Sequence, residues 1–283
     1  MTGSEPTPSP SAQPVRPTTL TGAFRWHPAF ASRYVSSPHD VLVHLPLGYE
    51  TDAATRYPVL YMQDGQNLFD AATSFAGEWR MDETSDALAR EGVIRQPIIV
   101  GIYNAGAYRI DEYTPTRDAA RRAGGKALLY GRMVVEELKP FIDETYRTMP
   151  DAPDTGLGGS SLGGLVSLYL GLIHPSVFGN LAVLSPSVWW DNRFIVRRIR
   201  GLHAKPSCRI WLSTGTAEGE GVVEAARRVR GALEAKGWAL GIDLAYLEVE
   251  GAPHSEAAWA GLVAPMLRFL YPGAGPGRAS RAT

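Results

Sequence analysis

The chain has a single cysteine, Cys208, among 283 residues. No intramolecular disulfide can form. Lying in an apolar, strand-like stretch, the thiol reads as buried and inert. No apolar run is long enough to span a bilayer, and the N-terminus has no basic segment followed by an apolar one. The expected location is therefore cytoplasmic, with no membrane partner. Charge of one sign is missing too: the net charge is −1 and the pI about 6.6, which removes the electrostatic basis for a nucleic-acid partner. There is no glycine-rich Lys-Ser/Thr phosphate loop and no His-Glu-x-x-His. The stretch from Asp64 to Asp70 is acidic at both ends but lacks the ligand spacing of a calcium loop. No metal is expected.

What remains is ordinary globular composition, 45% hydrophobic and 20% charged, enough for a sizeable core. Residues 1–19 are rich in Pro, Ser and Thr and read as a disordered tail. Residues 273–283 read as a second tail. Between them, 20–272 shows no repeat and no linker and reads as one domain. Ser32–Ser36 and Asp40–Leu45 suggest an antiparallel hairpin. From Pro58 onward, short continuous apolar runs alternate with helical segments. The runs are Pro58–Met62, Pro97–Tyr103, Thr155–Gly159, Asn180–Leu184, Cys208–Ser213 and Ile242–Val249. The helical segments are Trp79–Arg90, Lys126–Tyr146 with a kink near Pro140, Leu165–His174, Arg193–Arg200, Val222–Lys236 and Ser255–Leu270. This is an α/β pattern: a mainly parallel sheet with helices on both faces and an antiparallel N-terminal edge. Sites in such sheets lie beyond the carboxyl ends of the strands. The loops starting at Gln63, Ser161, Thr214 and Gly251 should share that edge.

One of those loops carries Gly159-Ser160-Ser161-Leu162-Gly163, a G-x-S-x-G pattern between a strand and a helix. Serine at such a turn adopts strained backbone angles, and bulky residues two positions either side would clash. The following helix aims its first N–H groups at the spot where an oxyanion would form. In a chain this rich in glycine the pattern occurs by chance in about one case in five, so context has to carry it. Ser160 competes as nucleophile, but Gly158 and Leu162 would then flank it.

Serine needs a base. Of six histidines, His254 follows the last strand and precedes the final helix. The base needs a carboxylate to fix its tautomer. Glu218 follows the strand Cys208–Ser213, with Glu220 and Asp191 as alternatives. The order Ser161, Glu218, His254 is that of α/β-hydrolases. The oxyanion donors would be the N–H groups of Leu162 and of Gln66, in the loop after the first parallel strand.

Several segments together carry a resemblance. They are Tyr61-Met62-Gln63-Asp64-Gly65-Gln66-Asn67-Leu68-Phe69-Asp70, Arg109-Ile110-Asp111-Glu112-Tyr113, Gly159–Gly164, Ser185-Pro186-Ser187, Gly215-Thr216 and His254. Over about residues 30–272 the chain resembles the esterase branch of the α/β-hydrolases, which includes esterase D-like, enterochelin-esterase-like and feruloyl or acetyl-xylan esterases. The resemblance implies an α/β-hydrolase fold without a large lid, hydrolysis of a small-molecule ester through an acyl-enzyme, and no cofactor. Gln63 departs from the histidine or apolar residue of many relatives. Asn104, Trp189 and Trp190 are candidate substrate-binding residues, the tryptophans being equally good core residues. Arg109 and Glu112 read as an ion pair that folds their loop. The competing functions are an acyltransferase of the mycolyltransferase type and a non-catalytic binding module on a hydrolase fold.

Overall fold

The computed structural model describes residues 18–273. Of the two expected tails, residues 1–17 and 274–283 lie outside the described residues. Thr18 and Thr19 are already bonded to the Asp70 carboxylate. The strands are β1 Ala23–Phe30, β2 His39–Leu45, β3 Val59–Gln63, β4 Ile98–Ile102, β5 Arg117–Asp118, β6 Ala123–Gly124, β7 Thr155–Ser160, β8 Asn180–Leu184, β9 Arg209–Gly215 and β10 Leu244–Val249. Eight of them form one sheet in the order β1-β2-β4-β3-β7-β8-β9-β10, and β5 and β6 form a separate small hairpin. β2 runs antiparallel to both β1 and β4; the remaining pairs of the sheet are parallel.

The continuous apolar runs are explained by burial on both faces. In β3, Val59 and Tyr61 point into one core while Leu60 and Met62 point into the other. The helix Leu162–Ile173 packs on the first face and the helix Val263–Leu270 on the second. Because the central strands have helices above and below, neither of their faces has a polar alternation to show, whereas the edge strands β1 and β10 are only partly buried.

Three expectations need correction. The first strand is Ala23–Phe30, not Ser32–Ser36, which is a bend. Pro28 disguised it: proline lacks a ladder donor and sits where the register with β2 slips between His27 and Phe30, next to Ala29 at φ 52. The last helix is two pieces, Glu256–Ala260 and Val263–Leu270. The segment Trp190–Arg200 opens with Asp191, Asn192 and Arg193 at positive φ, so regular helix starts only after them. The long helix 127–145 has its expected irregularity: a π-helical turn, Val134–Leu138, ends two residues before Pro140. The missing proline N–H removes one rung there, and the widened turn absorbs it.

Candidate active site

β7 ends at Ser160, and the helix Leu162–Ile173 begins at Leu162, so Ser161 alone makes the turn. Its φ of 56° and ψ of −122° are strained for any residue with a Cβ. Close packing enforces the turn. A Cβ on Gly159 or on Gly163 would lie 2.9 Å from Gln63 Cβ, and one on Gly164 would lie 3.0 Å from the Leu184 carbonyl. The strand ends β3, β7 and β8 thus close on the turn more tightly than any side chain there would permit. Gln63, the odd residue of its motif, fills this junction: it is buried and accepts a hydrogen bond from Tyr130 Oη. Ser161 N–H donates to the Leu184 carbonyl, and Ser187 N–H donates to the Ser161 carbonyl, both at 3.0 Å. The two side-chain hydroxyls lie 3.3 Å apart. Ser160 is a buried strand residue in register with Leu184; it lines a cavity with Ser161 and His254 but lies outside the turn.

The acid and histidine loops are stitched together. Ala217 N–H donates to the Ala252 carbonyl, and Gly251 N–H donates to Thr216 Oγ1. Gly215 has no room for a Cβ, which would lie 2.1 Å from the Ala252 carbonyl. The result is a 2.6 Å hydrogen bond between His254 Nδ1 and Glu218 Oε2. The Glu218 side chain is 1% exposed. Its other oxygen accepts from Gly215 N–H at 2.7 Å and from Ser185 Oγ. Burial pushes the carboxyl pKa up, but the hydrogen bonds from His254, Ser185 and Gly215 outweigh it, and the net shift is downward. An ionised Glu218 makes Nδ1 the protonated nitrogen, which leaves Nε2 free as an acceptor. Trp259 closes the network: its Nε1–H donates to Ser185 Oγ, and its ring stands edge-on to His254 at 4.9 Å. Neither Ser185 nor Trp259 was singled out individually in the sequence. Ser185 lies in a segment of the resemblance, but its link to Glu218 spans 33 residues.

The other expected site residues divide. Gln66 lies in the short turn Gly65–Asn67 after β3 and lines a cavity with Ser161 and His254. Leu162 opens the elbow helix, where N–H groups have no intrahelical acceptor. Asn104 reaches the same cavity as Gln66, but its polar atoms are spoken for. Nδ2 donates to Asp64 at 2.7 Å, Oδ1 accepts from Gly106 N–H, and its own N–H donates to Gln66 Oε1. Trp189 is half exposed at a cavity wall, with the Arg121 guanidinium 4.7 Å from its ring centre. Trp190 is not brought to the site. It is buried, donates to the Thr116 carbonyl, and packs against Gly124. The alternatives to Glu218 point elsewhere: Asp191 pairs with Arg197, and Glu220 is exposed at a helix start.

The expected Arg109–Glu112 pair does not form. Arg109 places two 2.7 Å bonds on the Asp64 carboxylate, while Glu112 lies beside His39. Burial works against the Arg109 charge, but Asp64 more than compensates, with Tyr113 and Glu256 adding smaller contributions, and its pKa is raised. Two cavities of about 470 Å³ each meet at Ser161, His254 and Arg109. Among the described residues, no group of three His, Cys, Asp or Glu side chains is gathered as a metal site, and no helix is long and apolar enough to cross a membrane.

Sheet order, flanking helices and the single-residue turn define an α/β-hydrolase fold. A solved structure of BES protein from Bacillus cereus superposes on it with a TM-score of 0.71 at 22% identity, covering 94% of this chain and 99% of that one. The chain belongs to the family described as "Putative esterase", whose model matches residues 32–270. Protein YbbA of Bacillus subtilis is 30% identical over 62% of this chain and 68% of its own length. The siderophore triacetylfusarinine C esterase of Aspergillus fumigatus is 29% identical over 58% of this chain and 56% of its own. The matched region thus spans a little over half to about two thirds of these two curated relatives.

Proposed function

We propose that the protein is a serine carboxylesterase working through an acyl-enzyme. The observation that carries this is Ser161, alone at a strained turn, facing the same two cavities as a histidine whose Nδ1 is fixed by a buried glutamate. With substrate in place, Ser161 Oγ leaves Ser187 and passes its proton to His254 Nε2 as it attacks the ester carbonyl carbon. The carbonyl oxygen takes up the negative charge and is held by the N–H groups of Leu162 and Gln66. His254, now protonated and stabilised by Glu218, gives its proton to the leaving alkoxide. Water, activated by the same histidine, then attacks the acyl carbon and frees Ser161. Each cavity is of small-ligand size. The name of the fungal relative supports siderophore esters as substrates, alongside small, aryl and sugar esters.

The test is hydrolysis of p-nitrophenyl acetate and butyrate by the wild type and by Ser161→Ala at mildly alkaline pH. Removing a triad nucleophile costs roughly 10⁴- to 10⁶-fold in kcat. Similar rates for the two proteins would move the nucleophile away from Ser161. Absence of hydrolysis by both, with acyl transfer to an added sugar, would favour the transferase; absence of both activities would favour the binding module.

A further inference from the structure

The two cavities that meet at Ser161 differ in chemistry, and this bears on which esters are chosen; the argument rests on the Ser161 reading above. One is walled mainly by Trp189, Ile110, Val222, Leu162 and Pro186. The other is walled by carboxylates and amides, among them Asp64, Glu256, Gln66 and Asn67, with the ring of Phe75 standing 87% exposed.

Within the polar cavity the two carboxylates are not equivalent. Asp64 is saturated: it takes both prongs of Arg109 and the Asn104 amide. Glu256 is buried, yet among the described residues its one hydrogen-bond donor is the neutral amide of Asn67, with Nδ2 3.2 Å from Oε1. Arg109 lines the same cavity and feels the charge of Glu256, but its hydrogen bonds go to Asp64. Two carboxylates against one guanidinium leave this wall with an excess of negative charge. The second oxygen of Glu256, Oε2, has no protein donor among the described residues and stays open to the cavity, so a substrate that fills the cavity must supply a partner or leave the carboxylate unpaired. Glu256 is also held in fixed relation to His254. It opens the helix Glu256–Ala260 two residues beyond the histidine, Ser255 Oγ caps that helix, and Trp259 pins it to Ser185.

We propose that Glu256 is a specificity-determining residue: it receives a hydroxyl or ammonium group of the substrate, so that esters carrying such a donor near the scissile bond are preferred over their apolar isosteres. Phe75 adds an aromatic face suited to a cation. A site built to pair a polar group discriminates strongly against the analogue that lacks it, because its own buried group is then left unpaired.

The experiment compares kcat/KM within matched pairs. 2-(Dimethylamino)ethyl butyrate, whose protonated amine carries an N–H, is set against its carbon isostere 3-methylbutyl butyrate, and glycerol monobutyrate against propyl butyrate. An ester with an ω-amino acyl chain is set against its ω-methyl counterpart. Each ratio is taken within one preparation, so it is independent of the active fraction. In wild type, at least one pair should favour the donor-bearing ester by about tenfold. In Glu256→Gln, which can still accept the Asn67 bond, that ratio should fall to within about twofold of unity. No preference in any pair, or a preference that survives the substitution, would overturn the proposal. Ser161→Ala separates the two levels. If it abolishes hydrolysis of every ester while the ratios are unmoved by Glu256→Gln, only this inference fails. If it leaves hydrolysis intact, the Ser161 reading fails and takes this one with it.

Discussion

Among the turns that hold non-glycine residues in the left-handed half of backbone space, those at Ser161 and at residues 191–193 are held in opposite ways. At Ser161 one strained residue is enclosed by close contacts among β3, β7, β8 and the elbow helix, where Gly159, Gly163 and Gly164 leave no room for a Cβ. At Asp191, Asn192 and Arg193 three successive residues have φ of 41°, 50° and 61°. They are held chiefly by one side chain: Arg197 donates to the carbonyls of Asp191 and Asn192 and pairs with the Asp191 carboxylate at 3.7 Å. The first turn is over-determined by packing, which suits a group that must stay aimed at substrate. The second lies at the surface, with Asn192 and Arg193 exposed, and is tethered between the buried Trp190 and the helix that follows.

The largest expected effect is at the enclosed turn. Glu218→Gln keeps the shape of the enclosed site but removes the charge that fixes His254, and kcat should fall by roughly 10²- to 10⁴-fold. The same pair of proteins gives a pH test. The folded-state pKa of Glu218 lies below its ordinary value, so its carboxylate contributes stability that is present above the ordinary glutamate pKa. That contribution is lost as pH falls through the lowered folded value. Denaturation midpoints measured across acidic pH should therefore show the wild-type advantage over Glu218→Gln shrinking toward the acid end. An advantage that grew on acidification would contradict the assignment.

Next comes packing. Gly163→Ala forces a Cβ to 2.9 Å from Gln63 Cβ and 3.2 Å from an Asp64 carboxylate oxygen, and should cost about 1–3 kcal/mol in urea unfolding. Gly221→Ala, in the helix Glu220–Glu234 with nothing within 4 Å, is the control. It should stabilise by about 0.5–1 kcal/mol. Equal effects at both positions would mean that packing does not enforce the elbow. The smallest effect belongs to the tethered turn. Asn192→Gly relieves one left-handed residue and should stabilise by up to about 1 kcal/mol, with little change in esterase rate. A large loss of activity would show that turn to be part of the site.

The same contrast explains what the sequence made legible. The enclosed turn announces itself because its glycines are local and its serine sits between them. Strand β8 matches its expected span residue for residue, since Asn180–Leu184 is apolar on both faces and bounded by a Gly before it and a Ser-Pro after it. The tethered turn gives no local sign, because its restraint comes from Arg197, several residues along the helix. Strand β1 was hidden by Pro28 and by a half-exposed edge position that needs few apolar residues. Trp189 and Trp190 are neighbours of the same type, and it is the space beside Gly124 and the Thr116 carbonyl, both distant in the chain, that receive Trp190. Arg109 chose Asp64, 45 residues away, over Glu112, because the loop after β3 delivers a carboxylate to it in the fold. Glu256 read as part of a helix start; that it also faces the cavity is a property of the tertiary structure alone.

The most direct measurement is covalent labelling with a fluorophosphonate, followed by fragmentation mass spectrometry of the peptide containing Ser160 and Ser161. One equivalent of label is expected, localised to Ser161 Oγ, and none on the folded Ser161→Ala variant. Label on Ser160, or steady ester turnover by protein that takes no label, would contradict a Ser161 acyl-enzyme.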